Sequence, residues 1–586
     1  MQYGKYRSAS DNFSQKYQCV KRWKGHDGRI LASAITTHND QHLYITGGND
    51  NTVSIWNISD CHSAAYDTAE FQENMLMKSL QEFVSFKTIS GKPDHAEDCR
   101  RGATFLRTLF KKFGAQTEML NTDNQHNPVV FARFRGNPAT SSSLKKILFY
   151  GHYDVVAADI RKGNWIVDPF QMKGINGYLY GRGVSDNKGP IMAALYGVVD
   201  CINEKELDSD VIFLIEGEEE SGSYGFKDAV KRHKELIGDV DYILLANSYW
   251  LDDEVPCLTY GLRGVLQATI NVDSNHPDMH SGVDGSFMMD EPLSDLVAIL
   301  ARLKGLHNRI QIPGFYDKVL PLTKEEEARY DDITDTLIRR NAELGPAATL
   351  KASLMARWRE PNLTIHRFKV SGPEGSLVSS HASAAISLRL VPNQEVDEAI
   401  TSLTTFLKDT FATLDTHNNL SISIDNQADP WLGNPDNEIF QTLEKAITDV
   451  WGPIGGGRRT STPGPRQPLR RNTSETLNPS LKPTPATTLT LTNGTDYTSL
   501  AATSQDSSAV DTESKPHKGR KPLYIREGGS IPSIRFLEKE FGAPAAHLPC
   551  GQASDRAHLD NERLRLNNLY KSREIFKRVF KELPKN

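Results

Sequence analysis

Ile147-Leu148-Phe149-Tyr150-Gly151-His152-Tyr153-Asp154 is the stretch on which the fold turns. Four successive apolar residues give way at once to a polar turn carrying a histidine and an aspartate. An apolar run this short, bounded by polar loop, reads as a strand buried on both faces, the kind that fills a parallel sheet. The pattern recurs. Val211-Ile212-Phe213-Leu214-Ile215 runs into Glu216-Gly217-Glu218-Glu219-Glu220-Ser221-Gly222-Ser223, and Tyr242-Ile243-Leu244-Leu245 leads to Asn247-Ser248-Tyr249-Trp250. Val129-Val130-Phe131 is a further short run. Pro190 opens a helical pattern with Ile191, Leu195, Val198 and Ile202 on one face. Helices are also expected within 62–115, where Leu76, Leu80, Phe83 and Val84, then Phe105, Leu106, Leu109 and Phe110, recur at helical spacing. Strands alternating with helices predict an α/β fold on a mostly parallel central sheet.

Three polar motifs begin where a strand ends, and open α/β sheets gather ligands at the carboxyl ends of their strands. Two more motifs lie in other loops: Gly181-Arg182-Gly183-Val184-Ser185-Asp186-Asn187-Lys188-Gly189 and Ala557-His558-Leu559-Asp560-Asn561-Glu562. Imidazoles and carboxylates are the ligands that hold zinc-like ions. Any one of these residues alone reads as a solvated charge or a satisfied core histidine. Their combined order reads as a two-metal hydrolytic site. Asn247 is the discordant member, a neutral amide where a carboxylate is expected.

Further along, the pattern becomes α+β. A strand is expected at 265–272, a helix at 293–303, an alternating strand at Ile386-Ser387-Leu388-Arg389-Leu390 and a helix at 395–408. This predicts a smaller inserted domain over 260–430. The catalytic α/β domain would then comprise 62–259, 431–454 and 521–586. Residues 455–520 are rich in Pro, Ser, Thr and Gly, with basic pairs such as Arg458-Arg459 and Arg470-Arg471. Such composition buries too little apolar surface to order itself, so a disordered insert is expected.

Global features exclude several classes. The chain has 586 residues, 24% charged and 38% hydrophobic, with net charge −6, so several globular domains and no general attraction for nucleic acid are expected. The opening MQYGKYRSASDNFSQKYQ has no apolar stretch of a signal peptide, and no apolar run approaches the roughly 18 residues of a membrane span. The six cysteines are scattered without a C-x-x-C pair, which fits free thiols in a reducing cytoplasm.

With Tyr260-Gly261-Leu262-Arg263-Gly264, His280-Ser281-Gly282 and Arg526-Glu527-Gly528-Gly529-Ser530-Ile531-Pro532, the motifs resemble the carnosinase, carboxypeptidase G and aminoacylase family of co-catalytic metallopeptidases, above all its carnosinase-like branch. The resemblance implies two divalent ions, zinc or manganese. His152 and Asn247 would hold one, Glu220 and His558 the other, and the two oxygens of Asp186 would bridge them. Asp154 would orient His152, and Glu219 would be the general base. The 260–430 domain would be a ferredoxin-like lid through which two chains pair. His280 would reach the partner's site and steady the oxyanion. Arg359, in Trp358-Arg359-Glu360-Pro361, would grip a substrate carboxylate, with Gly529 and Ser530 lining the substrate. The family has an aspartate at position 247. Its loss removes one anionic ligand and should weaken the second metal.

Residues 19–60 add a separate signal. Gly25-His26, the Gly47-Gly48-Asn49-Asp50 turn and the Val53-Ser54-Ile55-Trp56 strand resemble one blade of a WD-repeat propeller. A WD repeat ahead of such a peptidase unit is similar to a fungal subunit of the cytosolic glutathione-degrading complex. That likeness implies a glutamine-amidotransferase-like partner. Two functions follow as expectations: a metallopeptidase of small or γ-glutamyl peptides, or a largely non-hydrolytic scaffold for that partner.

Overall fold

The computed structural model describes residues 30–38, 41–48, 53–57, 75–122, 126–137, 144–161, 163–284, 289–373, 375–452, 521–529 and 531–585. The expected insert at 455–520, Ser530, the Gly25-His26 pair and the turn at 49–52 lie outside these residues.

A nine-stranded sheet forms the body. Its order is Trp431–Leu432, Cys257–Leu262, Ala545–His547, Tyr242–Leu245, Lys145–His152, Ser209–Glu216, Val129–Phe134 and Gln116–Leu120, with Leu523–Glu527 paired to Cys257–Leu262. The four strands from Ala545–His547 to Ser209–Glu216 are parallel. Outside them Val129–Phe134, Gln116–Leu120 and Trp431–Leu432 pair antiparallel. The sheet is therefore mixed, where a mostly parallel one was expected. For one of these pairs the cause is chain length: the link from Leu120 to Val129 is too short for the crossover of about a dozen residues that parallel pairing needs. The central strands are buried on both faces, as their unbroken apolar runs predict.

The helix after the second loop motif spans Lys188–Asn203. It is buried on nearly all sides, against Met75–Ser85, Leu566–Glu582 and the sheet, with only its C-terminal end reaching solvent. Ile202, expected on the packed face, is exposed there. Registers bring three strand ends level: His152 lies beside Glu216, and Leu245 beside both Tyr150 and His547. The loops that follow these strands therefore emerge side by side.

A second core belongs to a four-stranded antiparallel sheet, ordered Asn362–Val370, His381–Leu390, Gly264–Asp273 and Asn419–Ala428. Helices Pro292–Leu303 and Val396–Ala412 cover one face. Alternating burial along Gly264–Asp273 matches a sheet packed on that face alone. Between them in sequence, Lys324–Arg340 and Ala347–Arg359 form a helical pair that packs elsewhere, on Leu523–Glu527, around Trp250, Tyr330, Trp358 and Ile525. Strands Ile30–His38, Gln41–Gly48 and Val53–Asn57 form a separate antiparallel sheet. Cys99, Cys201, Cys257 and Cys550 are free and buried. Among the described residues no helix is long and apolar enough to cross a membrane.

Candidate metal centre

The cluster is built from the loops at the carboxyl end of the central strands. His152 ends its strand and is fully buried. Its Nε2 lies 3.1 Å from Asp186 Oδ1, and its Nδ1 lies 3.2 Å from the Asp154 carbonyl and 3.4 Å from Asp154 Oδ1. The other Asp186 oxygen, Oδ2, lies 3.1 Å from His558 Nε2. That same nitrogen is 3.1 Å from Glu220 Oε2. One carboxylate thus faces two histidines, one with each oxygen. Donor atoms of His152, Asp186 and Glu220 all lie within 4.8 Å of one another. Asp154 is not idle beyond His152, since its carboxylate accepts the Glu219 and Glu220 amides at 3.2 and 3.0 Å. Glu219 Oε2 stands 3.9 Å from His152 Nε2.

Local backbone explains the closeness. Gly183 has φ +84, a conformation only glycine adopts freely, and lets the 181–187 loop double back. At Gly217 a Cβ would come within 2.3 Å of the Tyr153 ring, so only glycine lets the two loops touch. Glu562 then ties the loop down. Its carboxylate accepts the Gly183, Ser185 and Asp186 amides at 2.9, 3.0 and 3.1 Å and the Arg182 guanidinium at 2.8 Å.

Crowded charge leaves its mark on proton affinities. Burial and the neighbouring carboxylates of Glu220, Asp186 and Asp154 push the Glu219 carboxyl well above its ordinary range, with His152 offsetting only part. Burial also raises Glu220, against the hydrogen bond from His558. Hydrogen bonds to Asp186 and Glu220 hold the His558 imidazole up at about 10. Burial opposes charge on His152, but Glu219, Asp154 and Asp186 outweigh it and keep its proton well above the usual imidazole range. Carboxylates packed this tightly call for positive charge among them, and the mixed nitrogen and oxygen donors suit zinc or manganese.

Asn247 is in place but fits less well. Its Oδ1 accepts the Ser248 amide at 2.5 Å, and its Nδ2 lies 3.4 Å from His152 Nε2. Facing the cluster, then, is a neutral amide nitrogen, a donor rather than a ligand. Flipping the amide would offer the oxygen, though without charge. The residue's own carbonyl is 2.8 Å from Nε2 of buried His547, which burial holds neutral by lowering its pKa to about 4.

The other expected site residues have local partners or face solvent. His280 is exposed on the short strand Met279–His280, and its Nδ1 accepts the Gly282 amide at 3.1 Å. Arg359 is held inside its own chain: its Nε is 3.3 Å from Glu326 Oε1, and it donates to the Leu320 carbonyl. The same Glu326 oxygen is 2.9 Å from Arg526, and all three side chains are nearly buried. The Arg359 fork, which the resemblance turns toward substrate, thus faces Glu326 on a different helix and the Leu320 carbonyl. Gly529 is exposed. A like-charged group does lie beside Gly528. Arg263 approaches it, and burial with the nearby charges of Arg389 and Arg357 lowers the Arg263 pKa to about 10. The spacing of these arginines gives no sign of their meeting, and Glu562, though inside a recognised motif, shows its bracing contacts only in three dimensions.

Comparison with known proteins agrees with this architecture. Residues 148–464 match the model of peptidase family M20/M25/M40. The probable di- and tripeptidase DUG2 of Saccharomyces cerevisiae is 35% identical over 96% of this chain, which spans 60% of that relative's length. The Cys-Gly metallodipeptidase DUG1 of Candida albicans is 29% identical over 86% of this chain and 93% of its own. Human carnosine dipeptidase 1 shares the fold, with a TM-score of 0.63 at 24% identity over 89% of this chain and 98% of that one. With more than half its length matched, and its histidines and carboxylates gathered at the strand ends, the chain belongs to peptidase family M20/M25/M40.

Proposed function

We propose that the chain hydrolyses small peptides with the help of divalent metal, in the breakdown of glutathione in the cytoplasm. The observation that carries this is Asp186, set with one oxygen on His152 and the other on His558 beside Glu220. A relative named as a Cys-Gly metallodipeptidase and another named as a di- and tripeptidase point to the substrate class. His152, Asp186, Glu220 and His558 would hold the metal, with Asn247 as a weak fifth ligand. Bound metal would supply positive charge that polarises the scissile carbonyl and acidifies water. Glu219, high in proton affinity with His152 offsetting only part of its burial, would take the proton of the attacking water and return it to the leaving amine. Asp154 keeps His152 oriented through its ring nitrogen. Arg263, beside Gly528 and donating to the Glu360 carbonyl and Asn362 Oδ1, is a further candidate beside Arg359 for a substrate carboxylate. Exposed His280 would complete the site of a second copy in a dimer paired through the 260–430 domain.

Asn247 favours a second reading, in which hydrolysis is feeble and the chain chiefly supports an amidotransferase-like partner. The two are separated by assaying purified protein for turnover of Cys-Gly and γ-glutamyl peptides, with and without that partner, beside Glu219→Gln. Metal-dependent turnover by the chain alone, lost in Glu219→Gln, is expected. Turnover that appears only with the partner and survives Glu219→Gln would favour the scaffold.

A further inference from the structure

His558 is the odd member of the metal cluster. His152 and Asp186 are buried, but the His558 side chain is 56% exposed and its backbone is left-handed at φ +61. Arg556 and Asn561 on the same loop are also left-handed, at φ +59 and +63. An exposed loop with three such residues needs outside contacts to keep a ligand in one place.

Those contacts come from the far end of the sequence. The Asn164 amide donates to Asp560 Oδ2 at 2.7 Å, and the Ile166 amide donates to Asn561 Oδ1 at 2.7 Å. Asn561 Nδ2 returns a bond to the Asn164 carbonyl at 2.8 Å, so this side chain closes a two-way clasp. Gly163 permits the approach: a Cβ there would stand 2.7 Å from both Asp560 oxygens. From below, Arg182 donates to the Leu559 carbonyl at 3.2 Å while lying over the Trp165 ring at 5.3 Å. The clasp thus grips the residues on the C-terminal side of His558, and Arg182 joins it to the loop that carries Asp186.

We propose that residues 163–166, together with Asp560 and Asn561, form a brace that positions His558 over Asp186 and Glu220. This deepens the metal-site reading above and rests on it. None of these residues touches the cluster, so they are positioning residues. Their effect reaches the metal through the His558 backbone. Aspartate at 561 would keep the acceptor for Ile166 and lose the donor to Asn164, so Asn561→Asp should fall between asparagine and alanine.

The test measures zinc affinity by competition with a chelating dye on the full chain, alongside thermal melting of the metal-free protein. Gly163→Ala displaces the Asp560 carboxylate without adding backbone strain, and Asn561→Ala opens the clasp. Each should weaken zinc binding about 10- to 100-fold, the usual effect of groups that orient a metal ligand, with the metal-free melting temperature little changed. Activity lost at low zinc should return at saturating zinc. Gly174→Ala, where a Cβ meets nothing within 4 Å, should match wild type. Wild-type zinc affinity in both Gly163→Ala and Asn561→Ala would overturn the brace alone. If wild type itself binds no zinc, the metal reading falls and takes the brace with it.

Discussion

An asparagine at 247 alters charge with almost no change of shape, so its consequence can be isolated. About two dications, two carboxylates would remain where the family has three, and the amide turns its oxygen to Ser248. Asn247→Asp should therefore tighten the weaker metal and raise peptide turnover, by about the 10- to 100-fold that metal-orienting groups are worth. Unchanged affinity and turnover would mean position 247 does not limit the site. His547 lies directly beneath and carries a pH signature. Its folded-state pKa is depressed to about 4, so from the ordinary 6.5 downward the unfolded chain takes up a proton that the folded chain refuses. Stability is then lost as pH falls through that window, by about 2 kcal/mol between pH 7.5 and 5 from this group alone. His547→Gln keeps a donor for the Asn247 carbonyl and removes the titration. Denaturant midpoints of the metal-free protein at the two pH values should differ less in the variant; an equal drop in both would place the acid sensitivity elsewhere.

At the level of elements, the strands were the most legible part. Ile147 to Tyr150 and Val211 to Ile215 are buried on both faces, which leaves an unbroken apolar run as a direct trace in sequence. The candidate metal cluster was partly legible for a related reason: His152, Glu219, Glu220 and Asn247 follow strand ends in short motifs, and the sheet registers bring those ends level, whereas Asp186 and His558 come from other loops. The antiparallel edges were less legible, because two of the three pairings join strands distant in sequence. The helical pair Lys324–Arg340 and Ala347–Arg359 was missed, since its apolar residues pack on Leu523–Glu527, a strand distant in sequence. The contact of Arg359 with Glu326, on the other helix of that pair, is not visible in the sequence for the same reason. A buried carboxylate shared by two arginines makes a test. Glu326→Ala strands Arg359 and Arg526 and should cost about 3 to 5 kcal/mol. Arg359→Ala should lower the melting temperature more than it raises KM, whereas Arg263→Ala should do the reverse. A selective rise in KM for Arg359→Ala would return that residue to the substrate.

For the whole molecule, the proposed dimer predicts that a second copy completes the site. His280 lies exposed on its short strand. A two-fold dimer would present two equivalent composite sites. Mixing His280→Ala chains with Glu219→Ala chains should then restore activity, because half the mixed dimers' sites can be whole. No recovery despite demonstrated subunit exchange would assign His280 a purely local role.

The most direct measurement is metal content and Cys-Gly hydrolysis in one preparation, for wild type and Asp186→Ala. Asp186, with one oxygen on each histidine, would serve both metals, so its loss should empty both positions together. After dialysis, wild type should keep nearer one divalent ion per chain than two, with the second regained on adding metal, and should hydrolyse the dipeptide. Asp186→Ala should lose the metal and the turnover alike. An Asp186→Ala chain that retains both metal and activity would contradict the bridging role and the reading built on it.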